Sequence, residues 1–119
     1  MDKQDALMQS LSEIAAESWR FQGVFSRMVS KVEPHLAERY VNQYAYFQKK
    51  VEASLEKAGL RMISLEGQPF DPGMAVTPLN IDDFDTDEGL VIAQMIEPIL
   101  MEGGSVCRTG VVLLEKVKA

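Results

Sequence analysis

The chain has 119 residues, 46% of them hydrophobic, and a net charge of −6 at pH 7. That length suits one small globular unit, or two subdomains sharing a core, with a surface-to-volume ratio poor enough to favour a partner chain. The acidic balance argues against nucleic acid and anionic membrane surfaces, both of which want a basic face.

The charge is uneven along the chain. Residues 1–60 hold eight basic and eight acidic side chains, whereas residues 61–119 hold four basic and ten acidic ones. The single cysteine, Cys107, rules out an internal disulfide and suits a reducing compartment. The opening Met-Asp-Lys-Gln-Asp lacks the basic-then-apolar pattern of an export signal, and no apolar run has the length of a membrane span. The expectation is a cytoplasmic protein that does not enter a membrane.

Residues 3–32 carry a stripe of Leu7, Leu11, Ile14, Ser18, Phe21, Phe25, Met28 and Val32, with alternating spacings of four and three. That is a heptad pattern, the seam of a coiled coil or bundle helix. Leu7, Leu11, Ile14, Phe21, Phe25 and Met28 are therefore the expected dimer interface. Glu33-Pro34 breaks the ladder, and the proline suits the first turn of a second helix. That helix is expected over Pro34–Ala58, with Leu36, Tyr40, Tyr44, Phe47, Val51 and Leu55 on its apolar side and Gly59 as its C-terminal cap. The sequence leaves open whether the two helices fold back as a hairpin or continue past a kink. At 1.5 Å per residue the stripe is about 40 Å long; either the second helix covers it or, as the sharper expectation, a second copy of the first helix does so in a dimer.

After Gly59 the period changes from helix to strand. A strand is expected over Leu60–Leu65, then a hinge at Gly67-Gln68-Pro69-Phe70-Asp71-Pro72-Gly73, where two prolines exclude helix and central strand. Further short strands are expected over Met74–Thr77, Leu90–Ile96, Ser105–Arg108 and Val111–Val117, with a bulge at Thr109-Gly110. The expected fold class is α+β, with a helical dimerisation region over 1–59. A small, mostly antiparallel sheet or partial barrel follows over 60–119 and binds the partner.

No constellation for chemistry assembles. Asp83, Asp85 and Asp87 have the one-three-five spacing of a calcium loop, but Glu88 stands where that loop needs glycine and Gln94 where it needs glutamate. One histidine, His35, and one cysteine do not make a zinc site. Cys107, inside a predicted strand, reads as a buried, inert thiol. No glycine spacing matches a phosphate-binding loop. The chain reads as non-enzymatic, with no cofactor and no metal. Of its seven methionines, Met62, Met74, Met95 and Met101 fall in the strand region, as core filler or as an adaptable binding surface.

Residues 52–117 resemble the GrpE family, the nucleotide exchange factors of DnaK-type chaperones. Leu55-Glu56-Lys57-Ala58-Gly59-Leu60 is similar to the end of that family's last helix. Gly67-Gln68-Pro69-Phe70-Asp71-Pro72 resembles its Pro-Phe-Asp-Pro element, Gly89–Met95 its central strand, and Gly103–Val112 with Leu114 and Lys116 its closing strands. The chain departs from the pattern at Gly73-Met74-Ala75-Val76, at Glu97-Pro98 where a lysine-glycine pair is expected, and at Thr109-Gly110 where proline-alanine is expected. The helical part is also short. The resemblance implies a homodimer whose β-domain binds the ATPase domain of a DnaK-type chaperone and promotes ADP release. It points to Phe70, Asp71 and Arg108 as partner contacts, with Met95 and Met101 as the adaptable surface beside them. The departures motivate an alternative, an adaptor or scaffold that keeps the GrpE-like shape within a dedicated complex.

Overall fold

A computed structural model describes residues 2–85 and 88–117. The fold is α+β: two long helices followed by short strands. The chain divides into two compact units, Met1–Arg61 and Met62–Ala119.

Helix α1 spans Lys3–Val29. Asp2 caps it, its carboxylate accepting the Asp5 N–H at 2.8 Å, which satisfies one of the unpaired donors of the first turn. Asp5 near the start and Arg27 near the end both match the helix dipole. Ser30 closes the helix, its hydroxyl donating to the Arg27 carbonyl. Helix α2 spans Pro34–Lys57, with Pro34 in its first turn and the Glu33 carbonyl accepting from Leu36 and Ala37. It ends where Gly59 takes a φ of +76°, a conformation that disfavours any residue with a Cβ.

The two helices form a hairpin. The Phe25 and Tyr44 rings stack with centroids 4.8 Å apart, Phe47 adjoins Tyr44 at 5.8 Å, and the Tyr44 hydroxyl donates to the Ser18 carbonyl at 3.3 Å. Phe25 precedes the turn and Tyr44 follows it, so a kinked continuous helix is excluded.

The strands form two three-stranded sheets, where a single sheet or partial barrel was expected. One has the order β1-β4-β5, from Leu60–Ile63, Ile99–Glu102 and Ser105–Arg108. The other has the order β2-β6-β3, from Val76–Pro78, Gly110–Lys116 and Leu90–Glu97. Strands β3 and β6 pair antiparallel along most of their length, whereas β2 runs parallel to β6. The first strand stops at Ile63, short of the expected Leu65. Thr109 is a crossing between sheets rather than a bulge. The register shifts lie within the sheets instead, between Leu100 and Met101 in β4, and between Ile92 and Gln94 and between Met95 and Glu97 in β3. Glu66 serves this irregular stretch by accepting the Met95 N–H at 3.0 Å.

The Gly67–Gly73 stretch, expected as a hinge, lies inside the second unit. It runs along the outer edge of β3: Gly67 donates to Ile92, Ile92 to Gln68, and Phe70 to Leu90, with Pro69 opposite Val91. A proline is tolerated there because an edge position needs no inward N–H. At the other end of this sheet Asn80 imitates a strand. Its amide donates to the Leu114 carbonyl and its side-chain oxygen accepts the Leu114 N–H, both at 2.9 Å, extending the pairing that Pro78 ends. Ile92, Leu100, Pro98 and Val112 are fully buried, with Met95, Ile99 and Leu114 buried as well; Val112 and Leu114 alternate along β6, whereas Pro98–Leu100 are buried in succession.

Candidate functional site

The expected dimer stripe divides into two lines. Phe25 and Leu11 are half-buried, and Phe25 is held by Tyr44. Leu7, Ile14, Phe21 and Met28 remain 55, 64, 48 and 58% exposed. These four are spaced by seven residues, nearly two helical turns, so they follow one line along the helix. On α2, Tyr40 and Phe47 are likewise seven apart and exposed. The buried positions of α1 are the small residues Ser12, Ala15 and Ala16, on a different face from the large apolar stripe. The heptad pattern therefore locates the apolar line but not the face that closes.

The expected partner contacts disperse over the second unit. Phe70 is half-buried, its N–H tied to the edge of β3. Asp71 is exposed, and its carboxylate accepts the Gly73 N–H at 2.9 Å, closing a local turn. Met101 is half-buried in β4, opposite the exposed Val106. Met95, expected at the binding surface, is 3% exposed and fills the core beside Gly110 instead. Strict alternation from Ile92 would turn Met95 outward; the register shift between Ile92 and Gln94 puts it on the inward side with the core residues instead.

Arg108 does not stand alone. Its Nη2 donates to the Glu97 carboxylate at 3.0 Å, across the place where the chain passes between the two sheets. The sequence signalled both residues, one as a family-matching cation and one as a departure, but gave no reason to pair positions eleven apart. Lys116 pairs in the same way with Glu88 at 3.0 Å. Among the described residues from Met62 onward, these are the two basic side chains. Both are engaged by carboxylates, so this unit presents an acidic surface.

The acidic loop forms a short 3-10 turn over Ile81–Asp83. Asp87, the third carboxylate of the calcium-like spacing, lies outside the described residues. Among the described residues no group of three or more His, Cys, Asp and Glu side chains is placed to hold a metal ion, and no helix is long and apolar enough to cross a membrane. Cys107, expected to be buried, is exposed on β5, a strand whose first three residues all face solvent. Partial desolvation and then the Glu102 carboxylate push its thiol above the ordinary value, against smaller lowering effects from its own backbone and Arg108. A raised thiol holds less thiolate at neutral pH and is a poorer nucleophile.

Comparison with protein-family models, with curated proteins and with solved structures found no match.

Proposed function

We propose that this chain is a GrpE-like co-chaperone, acting in the cytoplasm as a homodimer. In this reading the helical hairpin joins two copies through the Leu7–Ile14–Phe21–Met28 line, and the β unit binds the nucleotide-binding domain of a DnaK-type chaperone. The observation that carries the reading is the order of parts: an amphipathic hairpin with an outward apolar line, then a compact β unit with Gly67–Phe70 along the edge of β3. That order is what the sequence resemblance implies. The mechanism is binding, without covalent chemistry. A factor that prefers the open form of the ATPase domain shifts its population toward open and lets ADP leave. By linkage, ADP weakens the factor's hold by the same factor.

The test is release of labelled ADP from DnaK-type chaperones of the same genome. Acceleration that saturates with added protein is expected. Unchanged release from every such chaperone removes the exchange activity. A Cys107→Ser variant should release ADP as the parent does, since the thiol has no part in the reading.

A second reading, an adaptor or scaffold with a GrpE-like shape, is favoured by one observation. Arg108, expected to meet the chaperone, is engaged by Glu97 at one of the departures from the family pattern. Capture of a non-chaperone partner with no dependence on nucleotide would support that reading over the first.

A further inference from the structure

The chain passes between its two sheets twice at one place. On one side β3 leads into β4 through Pro98, which is fully buried. On the other, β5 leads into β6 through Thr109. Glu97 pairs with Val111 in one sheet and Arg108 with Leu100 in the other, so the two crossings run side by side. Their backbones are fixed. Pro98 holds Glu97 in an extended conformation. Gly110 packs so closely that a Cβ there would stand 2.9 Å from Met95 Cε, 3.0 Å from the Glu97 carbonyl oxygen and 3.2 Å from Ile99 Cγ1.

The side chains meet over this fixed joint. The Glu97 side chain is 12% exposed, so its carboxylate is a near-buried anchor, whereas Arg108 keeps 35% of its side chain exposed. A guanidinium has five N–H donors in a rigid fork, and a carboxylate that takes one of them also sets the plane of the rest. An arginine held in this way loses little rotamer freedom on meeting a second acceptor. Because the pair is close to neutral, what it offers a partner is oriented hydrogen bonding rather than long-range attraction.

We propose that Glu97 is a positioning residue for Arg108, fixing the guanidinium at the joint between the sheets so that its remaining N–H groups meet a carboxylate or carbonyl acceptor on the bound protein. The second half of this statement rests on the co-chaperone reading, and the first half stands without it.

Two measurements on the full chain test it. The first is 15N relaxation of the Arg108 Nε–H group in the parent, Glu97→Gln and Glu97→Ala. A rigid group in the parent that loosens partly in the glutamine variant and fully in the alanine variant is expected. A group equally mobile in all three overturns the positioning role, whatever the partner. The second is affinity for the ATPase domain of a DnaK-type chaperone from the same genome, with thermal melting to verify that each variant is folded. Arg108→Ala is expected to weaken binding about tenfold, and Glu97→Ala about threefold, with Glu97→Gln between it and the parent. In the Arg108→Ala background, Glu97→Ala should have no further effect. An equal loss with and without Arg108 overturns the proposal, since Glu97 would then act on the partner or the fold directly. If the parent itself does not bind the ATPase domain, the co-chaperone reading and the acceptor half of the proposal fall together, and the relaxation result decides the positioning half.

Discussion

The two units of this chain handle apolar surface in opposite ways. In the β unit the large aliphatic side chains are inside: Ile92, Leu100, Val112 and Leu114 are buried, and Val112 and Leu114 alternate with more exposed neighbours along β6. In the helical unit the buried positions of α1 are Ser12, Ala15 and Ala16, while Leu7, Ile14, Phe21 and Met28 face outward. The contrast shows that regular periodicity and a self-sufficient core are different properties. The heptad stripe is the more orderly pattern, yet the irregular strands, broken by prolines and bulges, make the denser core.

The sharpest way to break the contrast is to empty the β core. Ile92→Ala removes most of a fully buried side chain and should cost about 2–5 kcal/mol. Denaturation followed by tertiary and helical signals should show the first lost at lower denaturant. Coincident loss would mean that the units fold as one. Gly110→Ala attacks the same unit at the joint. A new Cβ meets Met95, Ile99 and the Glu97 carbonyl, so about 1–3 kcal/mol of overpacking is expected. A denaturation midpoint equal to that of the parent would show that the joint yields. Asn80→Ala withdraws both hydrogen bonds from Leu114 and should cost about 1 kcal/mol, with faster hydrogen exchange confined to the end of β6.

The helical unit should respond differently. Ile14→Asp with Phe21→Asp places two charges on exposed positions, where a lone subunit should tolerate them within about 0.5 kcal/mol. If a second copy covers that line, sedimentation should shift to monomer with an unchanged helical spectrum. An unchanged sedimentation coefficient would leave the line solvated. The smallest effect concerns pH. Burial raises the Tyr44 phenol above its ordinary value. The stability it lends is therefore whole below the unfolded pKa, about 10, and is lost as pH rises through the folded value. Urea midpoints should fall across that alkaline range in the parent, and Tyr44→Phe should flatten the fall.

Much of this architecture was legible in the sequence. Pro34 and Gly59 bracket α2 through their own backbone chemistry, and alternation marked β3 and β6. What escaped was non-local. The hairpin depends on Tyr44 reaching Ser18 and Phe25, which periodicity cannot register. The Pro69–Pro72 stretch announced a break, but whether a break lies between domains or along a sheet edge depends on what pairs with it. Met95 looked surface-ready until the register shift between Ile92 and Gln94 turned it inward. Asn80 and Glu66 gave no signal, because a side chain that completes a backbone ladder has no characteristic spacing.

The stretch beside β3 has a consequence for how this protein behaves when crowded. A long strand with an open edge is a template on which other chains can stack into fibrils. Here the outer edge of β3 is taken up by Gly67–Phe70, and the residue facing Val91 is a proline with no N–H to offer. At the opposite margin β2 is three residues long and also ends in proline, Pro78. Each margin of the β2-β6-β3 sheet thus carries a proline that cannot donate to an incoming strand, so the prolines that punctuate the chain also interrupt the template that the sheet would offer.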